Sequence, residues 1–466
     1  MKEAMNLPNQ LILLPLLAVV VVNLPLGLRW AAMLGGVFFS IYQMWTMVFL
    51  PPLETGFFDL QIDGLSRVLL LSIGLVAFVS ILAARGTIRD KRERFYFYNL
   101  VLLAMVGMNG LVMVRDLFSL YVFIEITSVA SFILIALRRE LDGLEGAFKY
   151  LIMSAVATAM MLSAVALLLL ATGETSFAKV AEQMRLGGSG LPVLAAGLFV
   201  AGLLIKAGSV PFHGWLPDAY MAAPNAASIL LGGIVTKTTG VYALIRLMQD
   251  GMFGTGMSPV LLLAGAVSIV AGALAALGQR DFKRMLAYSS ISQVGYIVLS
   301  LGTGTALGVV GAVFHLFNHA VFKSLLFVNA TAVEDRAGTR DMNQLGGLAA
   351  RMPVTGFASV VALLSTAGVP PLAGFWSKLV IIVALYKSGH PVYAAVAVLA
   401  SLLTLAYFLS MQRRVFFGKL REGLEGVKEA GWYVLVPTLA LTLITMGVGV
   451  LIPWMFGSFV LPMEKF

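Results

Sequence analysis

The stretch KAGSVPFHGW, Lys206 to Trp215, sits inside a long apolar run and interrupts it. Pro211 cannot donate a backbone hydrogen bond and its ring clashes with the preceding turn, so a helix through this run breaks there. A second stretch, TAGVPPLAGFW from Thr366 to Trp376, repeats the pattern. Ala207, Gly208, Pro211 and Gly214 fall on Ala367, Gly368, Pro371 and Gly374 at one constant spacing. A lone Gly-Pro kink is common in membrane helices, but four matched positions point to two related halves. Freed backbone groups are tolerated at membrane depth only when buried in protein or facing water, so matched breaks mark a transport site.

The composition agrees with a membrane setting. Of 466 residues, 59% are hydrophobic and 12% charged, against roughly 25% charged in soluble domains. Mean hydropathy is +0.93. Apolar runs near the ~20 residues needed to cross a bilayer recur along the chain, without the short alternating segments of a barrel. The expected class is therefore an all-α integral membrane protein. About fourteen spans are expected, near 11–27, 29–50, 63–84, 95–114, 117–137, 147–171, 192–222, 226–248, 258–278, 285–302, 306–331, 353–389, 391–413 and 433–457. The run from Leu11 to Val22 lacks a small-residue cleavage site and reads as a retained helix.

Lysine and arginine favour the cytoplasmic side. One set of loops holds 19 of them, including RGTIRDKRER (85–94) and QRRVFFGKLREGLEGVK (412–428), and the opposite loops and termini hold 6. Both termini are thus expected outside the cell membrane. This topology accounts for the net charge of +9, and no nucleic-acid role is assigned. The chain has no cysteine, which excludes disulfides, thiolate zinc sites and cysteine-ligated iron–sulfur clusters here, so no redox centre is expected in it.

With this threading the two broken helices, 7 and 12, run in opposite directions, giving an inverted repeat. Helices 1–3 occupy residues 1–94, the first repeat (helices 4–8) 95–248, the second (helices 9–13) 258–414, and helix 14 residues 433–457. Glu125, Lys149, Lys206, Lys237, His315, His319, Lys323 and Lys378 lie within the spans. A charge at a helix centre costs roughly 2.5–3.5 kcal/mol, so each needs a partner, water or a function. Snorkelling or a structural ion pair is the plain alternative for each, and Lys149, near its helix start, is most open to it.

Glu125 has no basic residue within a turn, so its partner must come from another helix. Lys206 sits one turn before the Pro211 break and Lys378 two turns after Pro371. A movable Glu125 near Lys206 would switch that lysine between holding and releasing a proton. In HLFNHAVFKSLLF, His315, His319 and Lys323 recur every fourth residue on one helix face. Histidine exchanges protons near neutral pH, so this row reads as a relay. A zinc or haem pair competes, without an accompanying carboxylate or cysteine, as does a hydrogen-bonded structural pair.

The segments LIKAGSVPFHGWLPDAYMAAP (204–224), QRDFKRMLAYSSISQVGY (279–296), HLFNHAVFKSLLF (315–327) and AGVPPLAGFWSK (367–378), with DLFSLYVFIEI (116–126) and IDGLS (62–66), resemble the antiporter-like subunits of the respiratory complex I superfamily. That superfamily includes Mrp-type cation/proton antiporters, group 4 hydrogenases and formate hydrogenlyases. The resemblance implies fourteen helices with inverted repeats and discontinuous helices 7 and 12. It also implies proton-path roles for Glu125, Lys206, Lys237, His315, His319, Lys323 and Lys378. Some members carry glutamate where Lys378 stands. No long lateral helix or large extension follows helix 14, so the likeness is to compact members such as the Mrp D-type subunit.

The expected function is proton translocation in a multi-subunit complex, either redox-driven or an Mrp-type Na+/H+ antiporter. Protons would enter around Lys237 and Lys206, cross through His315, His319 and Lys323 and leave by Lys378, with Glu125 gating. Related antiporter-like subunits, the lipid of the plasma membrane, H+ and Na+ are the expected partners, and no cofactor or metal is expected. A stand-alone transporter of a small solute is the alternative, and a structural membrane anchor is disfavoured by the row of buried ionisable groups.

Overall fold

The computed structural model describes residues 6–25, 28–49, 60–185, 190–252 and 255–455. The segments 1–5 and 456–466, which hold the two termini, lie outside the described residues. Nearly all the described chain is helical and no β-strand is formed among the described residues; the extended pairing consists of two isolated bridges, Asp116 with Ser176 and Asp281 with Asp341.

Eleven helices are long and apolar enough to cross a membrane among the described residues, so the chain is a multi-pass membrane protein. Leu7–Asn23 and Pro353–Ala367 are apolar but shorter. The expected total of fourteen differs from eleven for physical reasons. A 15-residue helix such as Pro353–Ala367 rises only about 22 Å, because the break divides its span. Phe282–Leu301 is buried except at Arg284 and Tyr288 and carries Ser289, Ser290, Ser292 and Gln293 in place of lipid-facing leucine. Other spans run past their apolar runs. The helix expected from 147 starts at Leu141, and the basic run 85–94 is largely helical, ending one helix at Thr87 and starting the next at Lys91. A short helix, Phe177–Arg185, lies between the expected spans 147–171 and 192–222.

The chain packs as two units. Unit 1 comprises Met1–Ile81, Ile88–Gly208 and Ala222–Met257. Its helices are α1 (Leu7–Asn23), α2 (Ala31–Phe49), α3 (Gly64–Thr87, the last six residues of which belong to unit 2), α4 (Lys91–Met113), α5 (Leu117–Ile135), α6 (Leu141–Thr172), α7 (Phe177–Arg185), α8 (Gly190–Ala207), then, beyond α9 (Trp215–Ala222), α10 (Asn225–Leu230) and α11 (Ala243–Gln249). Two π-helical segments, Leu231–Val235 and Lys237–Tyr242, join α10 to α11. Within unit 1, α4 packs on α5, and α6 on α5 and α8. A Cβ at Gly107 or Gly110 of α4 would overlap Thr127 or Phe123 of α5, so these glycines let the two helices approach closely.

Unit 2 comprises Leu82–Thr87, Ser209–Met221 and Ser258–Phe466. It contains α9 (Trp215–Ala222, which ends at the unit's edge), α12 (Ser258–Leu277), α13 (Phe282–Leu301), α14 (Ala306–Ala337), α15 (Pro353–Ala367), α16 (Ala373–Lys387), α17 (Pro391–Val415) and α18 (Trp432–Met455). Here α14 is central, packing against α13, α15, α16 and α18.

The same local devices recur in both units. Asp116 caps α5 by accepting from the Ser119 amide at 2.8 Å, and Asp281 caps α13 by accepting from Arg284 at 2.9 Å. These two aspartates also make the two isolated bridges. Helices α6 and α14 are both 32 residues long and both end at a left-handed glycine, Gly173 and Gly338. Helices α8 and α15 end at Ala207 and Ala367, each followed by a left-handed glycine, Gly208 at φ 69° and Gly368 at φ 87°. The peptide bonds before Pro211 and Pro371 are both cis.

Candidate functional site

In unit 1, Lys206 occupies the last turn of α8, directly before the break. Its Nζ lies 3.2 Å from Glu125 Oε1 on α5 and donates to Ser128 Oγ at 2.8 Å and Ser154 Oγ at 2.5 Å. The partner that Glu125 required from another helix is therefore Lys206. Thr158 donates to the same Glu125 oxygen. Glu125 and Ser128 are three residues apart on α5, and Ser154 and Thr158 four apart on α6, so each pair shares one helix face. The lysine side chain is 3% exposed and the glutamate 32%. The cation is thus fixed, while its counter-charge reaches the edge of the unit.

Lys237 is fully buried in the second π-helical segment and donates to the Gly232 carbonyl in its own helix. The structure brings Glu125 and Lys206 together, while Lys237 is held by main chain. Gly240, three residues on, has no room for a side chain because α8 passes against it at Ala207. Lys149 lies two turns into α6, half-exposed, and pairs with Glu145 at 2.6 Å, as an ordinary i,i+4 ion pair.

In unit 2, the row on α14 is buried from end to end: His315, His319 and Lys323 each show no exposed surface. His315 Nδ1 is 2.9 Å from Ser377 Oγ, and its ring centroid lies 5.8 Å from Tyr296 and 6.2 Å from His319. Lys323 donates to the Leu286 carbonyl at 3.0 Å and to the Ser289 hydroxyl, and its Nζ sits 5.8 Å from the Phe408 ring. Lys378, next to Ser377 on α16, has its Nζ 4.4 Å from the Tyr296 ring, 3.4 Å from the Ala367 carbonyl and 3.5 Å from Ser401 Oγ. That carbonyl ends the broken helix α15, so a freed main-chain dipole faces the ammonium. Tyr296 and Ser377 thereby connect Lys378 to His315. No group of three or more histidine, cysteine, aspartate or glutamate side chains fit to hold a metal occurs among the described residues.

Several buried polar atoms near this row have no protein hydrogen-bond partner among the described residues: His315 Nε2, Ser290 Oγ and both amide atoms of Asn329. Buried polar atoms of this kind are normally satisfied by internal water.

Sequence reasoning missed a third cluster, in unit 1. Arg246, near the end of its helix, is 3% exposed and grips Asp63 with two bonds of 2.6 and 2.8 Å. Arg115 adds a contact of 3.1 Å to the same carboxylate, and the Tyr242 hydroxyl accepts from Arg246 Nε at 3.0 Å. Burial alone would raise the Asp63 pKa. The Arg246 hydrogen bonds and the positive charges of Arg246 and Arg115 outweigh it and hold the carboxyl well below the usual carboxylate range. Asp63 begins one span and Arg246 ends another, and the expected threading puts both ends on one membrane face, which was the available signal.

The sequence pattern of the transmembrane family described as NADH:quinone oxidoreductase/Mrp antiporter matches residues 114–404. The D-type subunit of the Na(+)/H(+) antiporter of Alkalihalophilus pseudofirmus is 33% identical over 391 residues, which cover 83% of this chain and 79% of that protein. The N-type subunit of the NADH-quinone oxidoreductase of Desulforudis audaxviator is 38% identical over 373 residues, covering 78% of this chain and 74% of that one. Among solved structures, a protein of the Mrp complex from a Dietzia species matches with a TM-score of 0.84 at 26% identity, covering 99% of this chain and 96% of that one.

Proposed function

The chain belongs to the NADH:quinone oxidoreductase/Mrp antiporter transmembrane family, and from that premise we propose that it is an antiporter-like subunit that translocates protons inside a multi-subunit membrane complex. The complex is of the Mrp cation/proton antiporter type or of the redox-driven complex I and hydrogenase type. The observation that carries the proposal is the Lys206–Glu125 pair beside the break in α8. The pair lies beside a helix break at membrane depth, and its carboxylate, a third exposed, also accepts from the Thr158 hydroxyl. Movement of Glu125 away from Lys206 removes the charge that stabilises the protonated lysine and favours proton release.

In unit 2 the proton-handling groups are His315, His319, Lys323 and Lys378, and Lys237 belongs to the same set in unit 1. Support comes from the burial of all five and from the unpartnered polar atoms along α14, which suit a file of internal water. The matched caps, bridges and breaks of the two units support two inverted five-helix repeats, residues 95–248 and 258–414, within fourteen crossings, with the termini on the outer face. A plasma-membrane location, neighbouring antiporter-like subunits and exchange of H+, with or without Na+, complete the reading.

Purification in mild detergent followed by mass spectrometry of the intact particle tests it. The chain is expected to leave the membrane with other membrane subunits and to move no solute when reconstituted alone. A chain that emerges by itself and exchanges a small solute in liposomes would overturn the subunit reading.

A further inference from the structure

Unit 2 holds a cavity of about 600 Å³ where the end of α17 meets residues 342–346 and 417–421. Arg413, Arg414, Lys419 and Arg421 line it, together with Leu409 and Phe417. All four cations are exposed, and none forms an ion pair among the described residues. The neighbouring carboxylates do not neutralise them. Asp341 is turned to the Asn343 amide at 2.9 Å, Glu425 to the Gly423 amide at 2.9 Å, and Glu422 does not line the cavity.

Basic side chains at a helix C-terminus offset its dipole, and basic loops fix orientation in the membrane. Dispersed charges would serve both purposes, and neither calls for a cavity with an apolar wall. The wall continues down α17. Leu399, Leu402 and Leu409 are 62, 61 and 49% exposed, and at spacings of three and seven residues they share the face that ends in Arg413. From Leu402 to Arg413 the helix rises about 16 Å, close to the ~15 Å of half a hydrocarbon core. An exposed leucine row one leaflet deep, ending in four uncompensated cations around a cavity, has the shape and charge order of a phospholipid.

We propose that this cavity binds the headgroup of an anionic membrane phospholipid. The guanidinium groups of Arg413, Arg414 and Arg421 and the ammonium of Lys419 hold its phosphate oxygens, a role for which the planar arginine fork is suited. An acyl chain lies along Leu409 and Leu402. Four cations match the two phosphates of diphosphatidylglycerol better than the single phosphate of phosphatidylglycerol. The cavity volume is within the ~300–1,000 Å³ usual for small-ligand sites.

The test uses the intact complex containing this chain, incubated with mixed micelles of diphosphatidylglycerol, phosphatidylglycerol and phosphatidylcholine and then analysed for retained lipid by native mass spectrometry. The R413Q/R414Q complex should retain about thirtyfold less anionic lipid, since each basic group near a membrane surface contributes about fivefold. Phosphatidylcholine retention should not change, and excess inorganic phosphate should not displace the lipid. K419Q/R421Q, in an exposed loop, should shift retention in the same direction and keeps the test open if the first pair assembles poorly. Three results would overturn the proposal: anionic-lipid retention equal to wild type in both assembled double variants, displacement of the lipid by inorganic phosphate alone, or loss of a neighbouring subunit with lipid retention intact, which would make the cavity a protein-docking site.

Discussion

Lys206 in unit 1 and Lys378 in unit 2 sit beside matching helix breaks, yet their charges are met by different chemistry. Lys206 faces the Glu125 carboxylate and two hydroxyls. Lys378 faces a tyrosine ring, the freed Ala367 carbonyl and one hydroxyl at the limit of hydrogen bonding. A full counter-charge discriminates strongly between protonated and neutral lysine, and moving it changes the balance. Neutral dipoles discriminate weakly and tolerate either state. The first site has the makings of a switch and the second those of a way-station, and substitutions separate the two roles.

The largest effect belongs to the switch. Lys206→Ala removes the buried cation and leaves Glu125 hydrogen-bonded to Thr158, so the complex is expected to assemble and to lose ion translocation completely, as read by dye-reported ΔpH in proteoliposomes. Glu125→Gln keeps shape and hydrogen bonding without the charge and should reduce coupled transport severely at near-normal subunit content. Near-wild-type transport in either assembled variant would reduce the pair to scaffolding.

The row on α14 should show a smaller, graded loss. His319→Gln and Lys323→Met each preserve a side chain of similar reach while removing a proton-exchanging group. Both are expected to assemble and to slow translocation, with the double variant slower than either. A double variant pumping at the normal rate across roughly pH 6–8, the range in which histidine titrates, would remove the relay. A defect confined to assembly would make the row structural.

The two breaks and the buried lysines beside them were legible from Lys206–Trp215 and Thr366–Trp376, because proline and glycine act locally. The lysine–carboxylate contact was half legible. The isolation of Glu125 required a distant partner, with Lys206 the expected one, and the packing of α5, α6 and α8 brings the two together and adds Ser128, Ser154 and Thr158. The π-helical segments around Lys237 escaped because their pattern of apolar residues is that of any buried helix. The Asp63–Arg246–Arg115 cluster escaped because residues at span ends read as ordinary interface charges. The span count is the least legible quantity, since a divided helix and a largely enclosed one rich in serine both depart from the apolar length that hydropathy measures.

The smallest effect on transport, and the clearest on stability, is expected at that cluster. Asp63→Asn leaves the buried Arg246 without its counter-charge, and breaking such a pair costs about 3–5 kcal/mol, so thermal stability of the assembled subunit should fall while residual complexes still pump. Because the folded-state pKa of Asp63 is depressed, its stabilisation is complete above the unfolded value near ~3.9 and is lost as pH falls through the folded value. The variant should therefore lose part of the wild type's acid-range decline in melting temperature. An unchanged acid profile would show that Arg246 is satisfied by Tyr242 and Ser66 alone.

Lys206→Arg separates a proton-handling lysine from a structural one most directly. Arginine retains the positive charge and can keep the ion pair with Glu125, but it does not deprotonate in a protein. Proton translocation measured in proteoliposomes holding the assembled Lys206→Arg complex should be abolished although subunit content and melting temperature match wild type. Translocation at the wild-type rate would mean that Lys206 never releases a proton, and the switch assigned to the Lys206–Glu125 pair would be wrong.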